Sequence, residues 1–445
     1  MALLGCCFVL PAAAGAQDKT TAAAGKAASP AQVAAIQAKI DAEYPHLETL
    51  YKQLHAHPEL AFQEVQTAAR MAKEIKTLGF DVTTGVGGHG VVAVLKNGKG
   101  PTVMVRTDMD GLPIIEKTGL PYASKVLTRD KDGKEVGTMH ACGHDMHMTC
   151  WVGTARVLAG LKDRWSGTLI FIAQPAEEVG GGARRMIEAG LFTKFPRPDY
   201  CLGLHCDARQ PHGHIAYGEG LIMANCDTIE ITVRGKGGHG AAPHTTIDPI
   251  VLAARIILDL QTLVSRETNP TDPVVITVGS IHGGTKHNII PPEVKMQLTV
   301  RTLKDSVRKN VLEGIKRVVE FAAKSARAPE PIIHIETDDF TPAVFNDAKL
   351  AKKTTAVLRE VLGADKVHEM GPVMGGEDFG RYGREGIPIF FYFVGTMAPE
   401  RVIAAEKGGE PLPSLHSDGY YPIPEPTIRT GVLTMSSAVL NLMGK

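Results

Sequence analysis

Three short apolar runs, each leading into charged or imidazole side chains, constrain this chain more than any other feature. Residues 102–106 lead into Asp108-Met109-Asp110, residues 168–173 into Gln174-Pro175-Ala176-Glu177-Glu178, and residues 200–204 into His205. Each run is too short for a helix and too uniformly apolar for a half-exposed strand, so it reads as a strand buried on both faces. A fourth such run occupies 389–394, and helical periodicity fills stretches between and around them, at about 31–54, 65–78, 149–161, 347–362 and 425–443. The alternation predicts an α/β domain built on a mainly parallel sheet covered by helices. Ligands in such sheets bind beyond the carboxyl ends of the strands. Asp108, Glu177, Glu178 and His205 fall at those ends, which places them on one rim.

A chain of 445 residues exceeds one ordinary core, so a second domain is expected. The character changes near residue 220. Ile229, Ile231 and Val233 alternate with polar residues, as on a half-exposed strand. The succession from there to about 336 is β-α-β-β-α-β, the order of a ferredoxin-like unit. The α/β pattern resumes after it. The resulting division is 32–219 and 339–445 for the catalytic α/β domain, with 220–338 inserted as a ferredoxin-like α+β domain.

Residues 1–16 resemble a secretory leader, with an apolar run at 2–10 and the small-residue tripeptide Ala14-Gly15-Ala16, although they lack a basic n-region. The alternative is an uncleaved tail. Residues 17–31 read as a linker. Export is therefore expected, with a cytoplasmic location as the alternative. Lysine plus arginine and aspartate plus glutamate both number 48, and no basic run or stacking-aromatic pattern suggests nucleic acid. No apolar run is long enough to span a bilayer. Without the leader five cysteines remain, at 142, 150, 201, 206 and 226. An odd, uneven set is not a disulfide framework, but it suits one metal thiolate.

The chemistry concentrates in 138–147, where Cys142, His140, His144, His147 and Asp145 fall together. Cys142 and His144 are two apart, so an extended or turn backbone would aim both at one cation, whereas a helix would splay them. Thiolate beside imidazole is a zinc-like pair. A lone Cys-x-His is more often a buried cysteine near a satisfied histidine. A lone Glu-Glu pair is more often a solvated helix start. Here Cys142, His144, Glu178, His205 and His416 supply five donors, enough for two divalent ions if a ligand or water is shared. Of the adjacent Glu177 and Glu178, one carboxylate can bind metal while its neighbour, directed differently, takes and returns a proton.

Met139-His140-Ala141-Cys142-Gly143-His144-Asp145-x-His147, Arg106-x-Asp108-Met109-Asp110, Gln174-Pro175-Ala176-Glu177-Glu178, Gly203-Leu204-His205 and Leu415-His416-Ser417 resemble, in order, the motifs of the hippurate hydrolase and N-acyl-amino-acid amidohydrolase family. That family includes plant auxin-conjugate hydrolases, with aminoacylases and carboxypeptidase G as more distant relatives. The resemblance implies a di-metal peptidase-like catalytic domain with an inserted lid and dimerisation domain. It implies Cys142, His144, Glu178, His205 and His416 as ligands of two divalent ions (zinc, manganese or cobalt) and Glu177 as general base. His239 corresponds to the histidine that reaches a partner subunit's site and steadies the oxyanion, so a homodimer is implied. Asn288 and Arg301 correspond to substrate-binding positions, Arg301 on the α-carboxylate.

On their own residues these last assignments are weaker. His239 could be a turn residue, Asn288 a turn former, and Arg301 a solvated strand charge. Asp108 reads as a partner that orients a ligand. His140 and His147 read as supporting residues, while His55 and His57 receive no role. Gly376 stands where the family often has serine. The implied function is metal-dependent hydrolysis of an N-acyl or N-aroyl amino acid. A dipeptidase or carboxypeptidase acting on short peptides and a non-catalytic metal-binding scaffold are the alternatives.

Overall fold

The apolar runs lie side by side at the centre of one eight-stranded sheet in the computed structural model, which describes residues 29–336 and 340–445. The expected leader, the linker as far as residue 28 and the end of the insertion at 337 and 338 lie outside the described residues. The central strands Gly167–Gln174, Thr102–Asp108, Tyr200–Pro211 and Ile389–Met397 are parallel neighbours in that order. Gly90–Asn97 and Asp81–Val86 extend one edge antiparallel. Ile215–Tyr217, antiparallel to Ile389–Met397, and then Val367–Glu369 extend the other. The sheet is therefore parallel at its centre and mixed at its margins.

Three of the marginal strands carry no readable period. Asp81–Val86 is mostly exposed and threonine-rich, while Ile215–Tyr217 and Val367–Glu369 span three residues each. Alternation across the pleat sorts the central side chains. Val103 and Val105 pack into a core shared with the helices Pro30–Ala56, His144–Gly160 and Pro424–Met443. Met104, Ile170 and Ile172 face the opposite core, with Met186, Phe379 and Tyr382. Burial of each such side chain contributes about 1.5–3 kcal/mol.

Two local differences from the sequence pattern shape the site. The helix expected from residue 149 starts at His144, because Gly143 at φ 84 turns the chain and its carbonyl accepts from the amides of Met146 and His147. Polar first-turn residues had masked its apolar period. His205 lies within a strand that runs on to Pro211, instead of ending it. Its rim position arises because the neighbouring strand Thr102–Asp108 last pairs with it at Gly203.

A second sheet, between residues 225 and 335, has the order Val274–His282, Glu293–Thr302, Asn225–Arg234, Ile332–Ile335, all antiparallel. With the helices Pro249–Thr262 and Asp305–Ser325 this is the ferredoxin-like arrangement. Ile229, Ile231, Val233, Met296 and Leu298 face those helices in their own core. Cys226, Thr228, Thr299 and Arg301 line the other face, across a cleft from the rim of the large sheet. Paired backbone hydrogen bonds between Cys226 and Thr341 tie the entry and exit of this unit together.

Candidate active site

Cys142 is buried in the turn before the His144–Gly160 helix. Its Sγ lies 3.4 Å from His205 Nε2 and 3.3 Å from His416 Nε2. His416 Nε2 is 3.5 Å from Glu178 Oε1, and His144 Nε2 is 3.8 Å from both Glu178 Oε1 and Glu177 Oε2. Two donor trios result, Cys142–His144–His205 and Cys142–Glu178–His416, and the sulfur belongs to both. The five positions marked as candidate ligands thus converge, with Glu177 beside them. His416 holds a left-handed backbone, φ 64, while its amide donates to Ala141 O at 2.9 Å. Such strain in a non-glycine residue persists only where the surroundings enforce it.

Both ring nitrogens of His144 and Oε1 of Glu178 are buried without a hydrogen-bond partner among the described residues. Buried polar atoms of that kind call for an explanation, and a divalent cation supplies one. One thiol, three imidazoles and a carboxylate are the donor types that borderline metals take. His205 Nδ1–H donates to Cys206 O at 2.7 Å, which leaves Nε2 free to face Cys142. Asp110 Oδ1 lies 3.4 Å from His144 Nδ1, an ion-pair approach without a hydrogen bond, so its charge faces that side of the ring.

The electrostatics point the same way. Burial, together with Glu178, Glu177 and Asp108, pushes the Cys142 thiol well above its usual value. Burial and the nearby Glu377, Glu178 and Asp378 raise Glu177 well above the carboxylate range, and Glu178 rises to about 7, chiefly by burial. Burial alone would lower His144, but Asp108 and Asp110 raise it to about 10. His416 falls to about 4 through burial and the charges of His144, His205 and Arg301. A cluster of crowded carboxyls around a neutral thiol is stabilised by added positive charge, and a bound cation inverts these shifts.

Supporting residues differ in part from the sequence reading. Asp108 has His147 Nδ1 at 2.7 Å and Arg106 Nη1 at 2.6 Å as its close partners, with His144 Nε2 at 3.8 Å. His147 Nε2 accepts from the Cys206 amide at 2.8 Å, so both of its nitrogens are engaged. Asp110, given no separate role from the sequence, accepts from the amides of Glu177 and Glu178 at 3.0 Å each. Its two-residue spacing from Asp108 was the available signal. Arg106 also reaches Glu377 and Asp378, at 2.8 and 3.1 Å. His55, given no role from sequence, bridges Asp145 and Glu116 at 2.7 and 3.0 Å. His140 is buried, which lowers it to about 4.

The cleft has a volume of about 760 Å³ and is lined by Cys142, Glu177, Glu178, His205 and His416 on one side and Arg301 on the other. Arg301 Nε donates to Thr299 Oγ1 at 3.0 Å. A Cβ at Gly376 would stand 3.0 Å from Arg301 Nη1, so the glycine leaves the guanidinium its room. His239 and Asn288 are absent from this lining. They sit together on an exposed part of the inserted unit, where His239 pairs with Ile289 and the Gly240 amide bonds Asn288 O at 2.8 Å. Within one chain, neither joins the donor cluster.

Comparison with known proteins adds a family. Residues 104–406 match the sequence profile described as Peptidase family M20/M25/M40. Thermostable carboxypeptidase 1 of Saccharolobus solfataricus is 38% identical over 349 residues, 78% of this chain and 84% of that protein. N-acetylcysteine deacetylase of Bacillus subtilis is 37% identical over 360 residues, 80% of this chain and 90% of that protein. The crystal structure of the Bacillus subtilis YXEP protein, described as a dinuclear metal-binding peptidase from the M20 family, has a TM-score of 0.70 and 31% identity. The likeness covers 91% of this chain and 100% of that one.

Proposed function

Because the chain belongs to peptidase family M20/M25/M40, whose members are metal-dependent amidohydrolases and peptidases, we propose that it cleaves N-acyl or N-aroyl amino acids. The products are a carboxylic acid and a free amino acid. The observation that carries this reading is the Cys142 sulfur shared by two donor trios, with Glu177 beside them and Arg301 across the same cleft. Cys142, His144, Glu178, His205 and His416 would hold two divalent ions, and thiolate with imidazole favours zinc over manganese or cobalt. Such a pair supplies polarisation of the scissile carbonyl and an acidified water.

The protein's own groups do the rest. Arg301 presents a planar fork to the α-carboxylate and so places the amide over the rim. Glu177 takes the proton of the attacking water and returns it to the leaving nitrogen as the C–N bond breaks. His239 of a second copy donates to the oxyanion. Its exposure away from the home cleft supports a homodimer through the inserted domain. Mixing His239→Ala with Glu177→Ala protein then restores part of the activity that each lacks, whereas no restoration sinks the shared site.

The second reading is a carboxypeptidase or dipeptidase, favoured by the Saccharolobus relative's name. Arg301 would bind a peptide's C-terminal carboxylate equally well. The test is a panel of acetyl- and benzoyl-amino acids, their carboxamides and dipeptides, run on zinc-loaded protein. Acyl-amino acids should be preferred and carboxamides should fail. Faster dipeptide cleavage overturns the first reading in favour of the second, and equal turnover of the carboxamides removes Arg301 from it.

A further inference from the structure

A second buried carboxylate, outside the cleft, grips the segment that carries Glu177 and Glu178. Glu64 is fully buried, and its Oε1 accepts from the Ala176 amide at 2.7 Å. Asp110 accepts from the next two amides, those of Glu177 and Glu178. Three consecutive N–H groups therefore end on carboxylate oxygens from two different elements. The segment needs such a hold. Ala176 lies at φ 52, in the left-handed region that an L-residue rarely adopts. That turn lets two successive glutamates bring Oε2 and Oε1 each within 3.8 Å of the same His144 nitrogen, where an extended backbone would send them to opposite sides.

The bland reading of Glu64 is a helix cap, since it precedes the helix Val65–Lys76, but its side chain makes no cap hydrogen bond. Glu59 fills that role, accepting from the amides of Gln66 and Thr67 and from Thr67 Oγ1. The neighbouring Phe62 closes the same loop farther along. A Cβ on Gly181 would stand 3.3 Å from its ring, and the Arg185 guanidinium lies 3.8 Å from the ring centroid. We propose that Glu64 is a positioning residue that holds Ala176 in its left-handed turn and so sets where the Glu177 carboxylate stands. Resting on the reading of Glu177 as the proton carrier, this extends the site to a residue that touches neither substrate nor metal. Burial and the charge of Asp110 push Glu64 up to about 7, and Oε1 can accept in either protonation state.

Three variants of the full chain test it: Glu64→Gln, which keeps the acceptor, and Glu64→Leu and Glu64→Ala, which do not. Amide hydrogen exchange is followed on the metal-free protein in the peptide covering 174–182, and kcat, KM and zinc content on the loaded protein. Glu64→Leu and Glu64→Ala should exchange about ten-fold faster there than wild type. They should lose roughly ten- to a hundred-fold in kcat, with KM within about two-fold and zinc content unchanged. Glu64→Gln should stay within about three-fold of wild type in both readouts. Folded Leu and Ala variants with wild-type exchange or wild-type kcat overturn the proposal. So does failure of both to fold while Glu64→Gln behaves normally, because Glu64 then serves the fold at large. If wild-type protein cleaves nothing in the substrate panel, the functional reading fails first, and the exchange measurement alone decides the clamp.

Discussion

Replacing Arg106 by methionine removes a guanidinium on which the buried acids behind the rim converge. The guanidinium donates to Asp108 Oδ2 at 2.6 Å, Glu377 Oε1 at 2.8 Å, Asp378 Oδ1 at 3.1 Å and Gln174 Oε1 at 3.0 Å, all buried. Methionine keeps much of the volume and leaves three carboxylates facing one another. Removing one partner of a buried ion pair costs about 3–5 kcal/mol. The alternative is to protonate a carboxyl whose ordinary value is near 4. At pH 7 that costs at most about three units at 1.36 kcal/mol each, roughly 4 kcal/mol, and less at Asp378, which burial already raises to about 7. Both routes point to a loss of up to about 4 kcal/mol for Arg106→Met, near a 4 °C fall in melting temperature for a chain of 445 residues.

The sign of the pH dependence follows from Asp108. Burial would raise its carboxyl, but His144, His147 and Arg106 hold it well below the usual value. The Arg106 contribution is therefore present above the unfolded carboxylate value and is lost as pH falls through the lowered folded one. Thermal unfolding of metal-free wild type, Arg106→Met and Arg106→Lys between about pH 2.5 and 8 measures it, the loss falling below about pH 4. The gap between wild type and Arg106→Met should narrow on acidification, with the lysine variant intermediate because it lacks the fork. A gap below about 1 kcal/mol at pH 7, or one that widens toward pH 4, would refute the reasoning.

Three further outcomes are expected. Glu177→Ala should keep its zinc but lose about 10²–10⁴-fold in kcat, whereas Glu178→Ala should lose zinc; normal turnover in Glu177→Ala ends the proton-carrier role. Asp110→Asn should weaken zinc binding about 10–100-fold in chelator competition, and wild-type affinity would show that Asp110 does not orient His144. For His55, burial would lower the imidazole, but Asp145 and Glu116 raise it from 6.5 to about 9. Its stabilisation is full below pH 6.5 and disappears as pH rises through about 9, some 3 kcal/mol in all. His55→Gln should flatten that stretch of the stability curve, and a wild-type curve that is already flat there counts against the charged pairings.

Much of the fold was legible because its signals are local. Uniformly apolar runs announced the central strands, and the alternation at Ile229, Ile231 and Val233 announced a sheet with one buried face. Both follow from the direction of successive side chains, a property of neighbouring residues. The short marginal strands escaped because three residues hold no period. The start of the His144–Gly160 helix escaped because its first turn is largely polar instead of apolar. Of the five candidate donors, Glu178 and His205 were legible beside strand ends, Cys142 and His144 as a closely spaced thiol and imidazole, and His416 within a short motif. Their meeting was expected from the motif resemblance alone, since His416 and Cys142 are 274 residues apart and approach only in the folded chain.

The sequence by itself marked which residues are candidates for chemistry, because thiol, imidazole and carboxylate are costly to place beside apolar runs unless they are partnered. Tertiary structure alone decided which charges answer which. Arg106 finds Glu377 and Asp378 some 271 and 272 residues away, Glu64 and Asp110 divide three consecutive amides between them, and His239 stands outside its own cleft. A buried charge or amide requires a partner of the right kind, but any of many residues could meet that need. Only the packed chain, by excluding water from all but one arrangement, selects it.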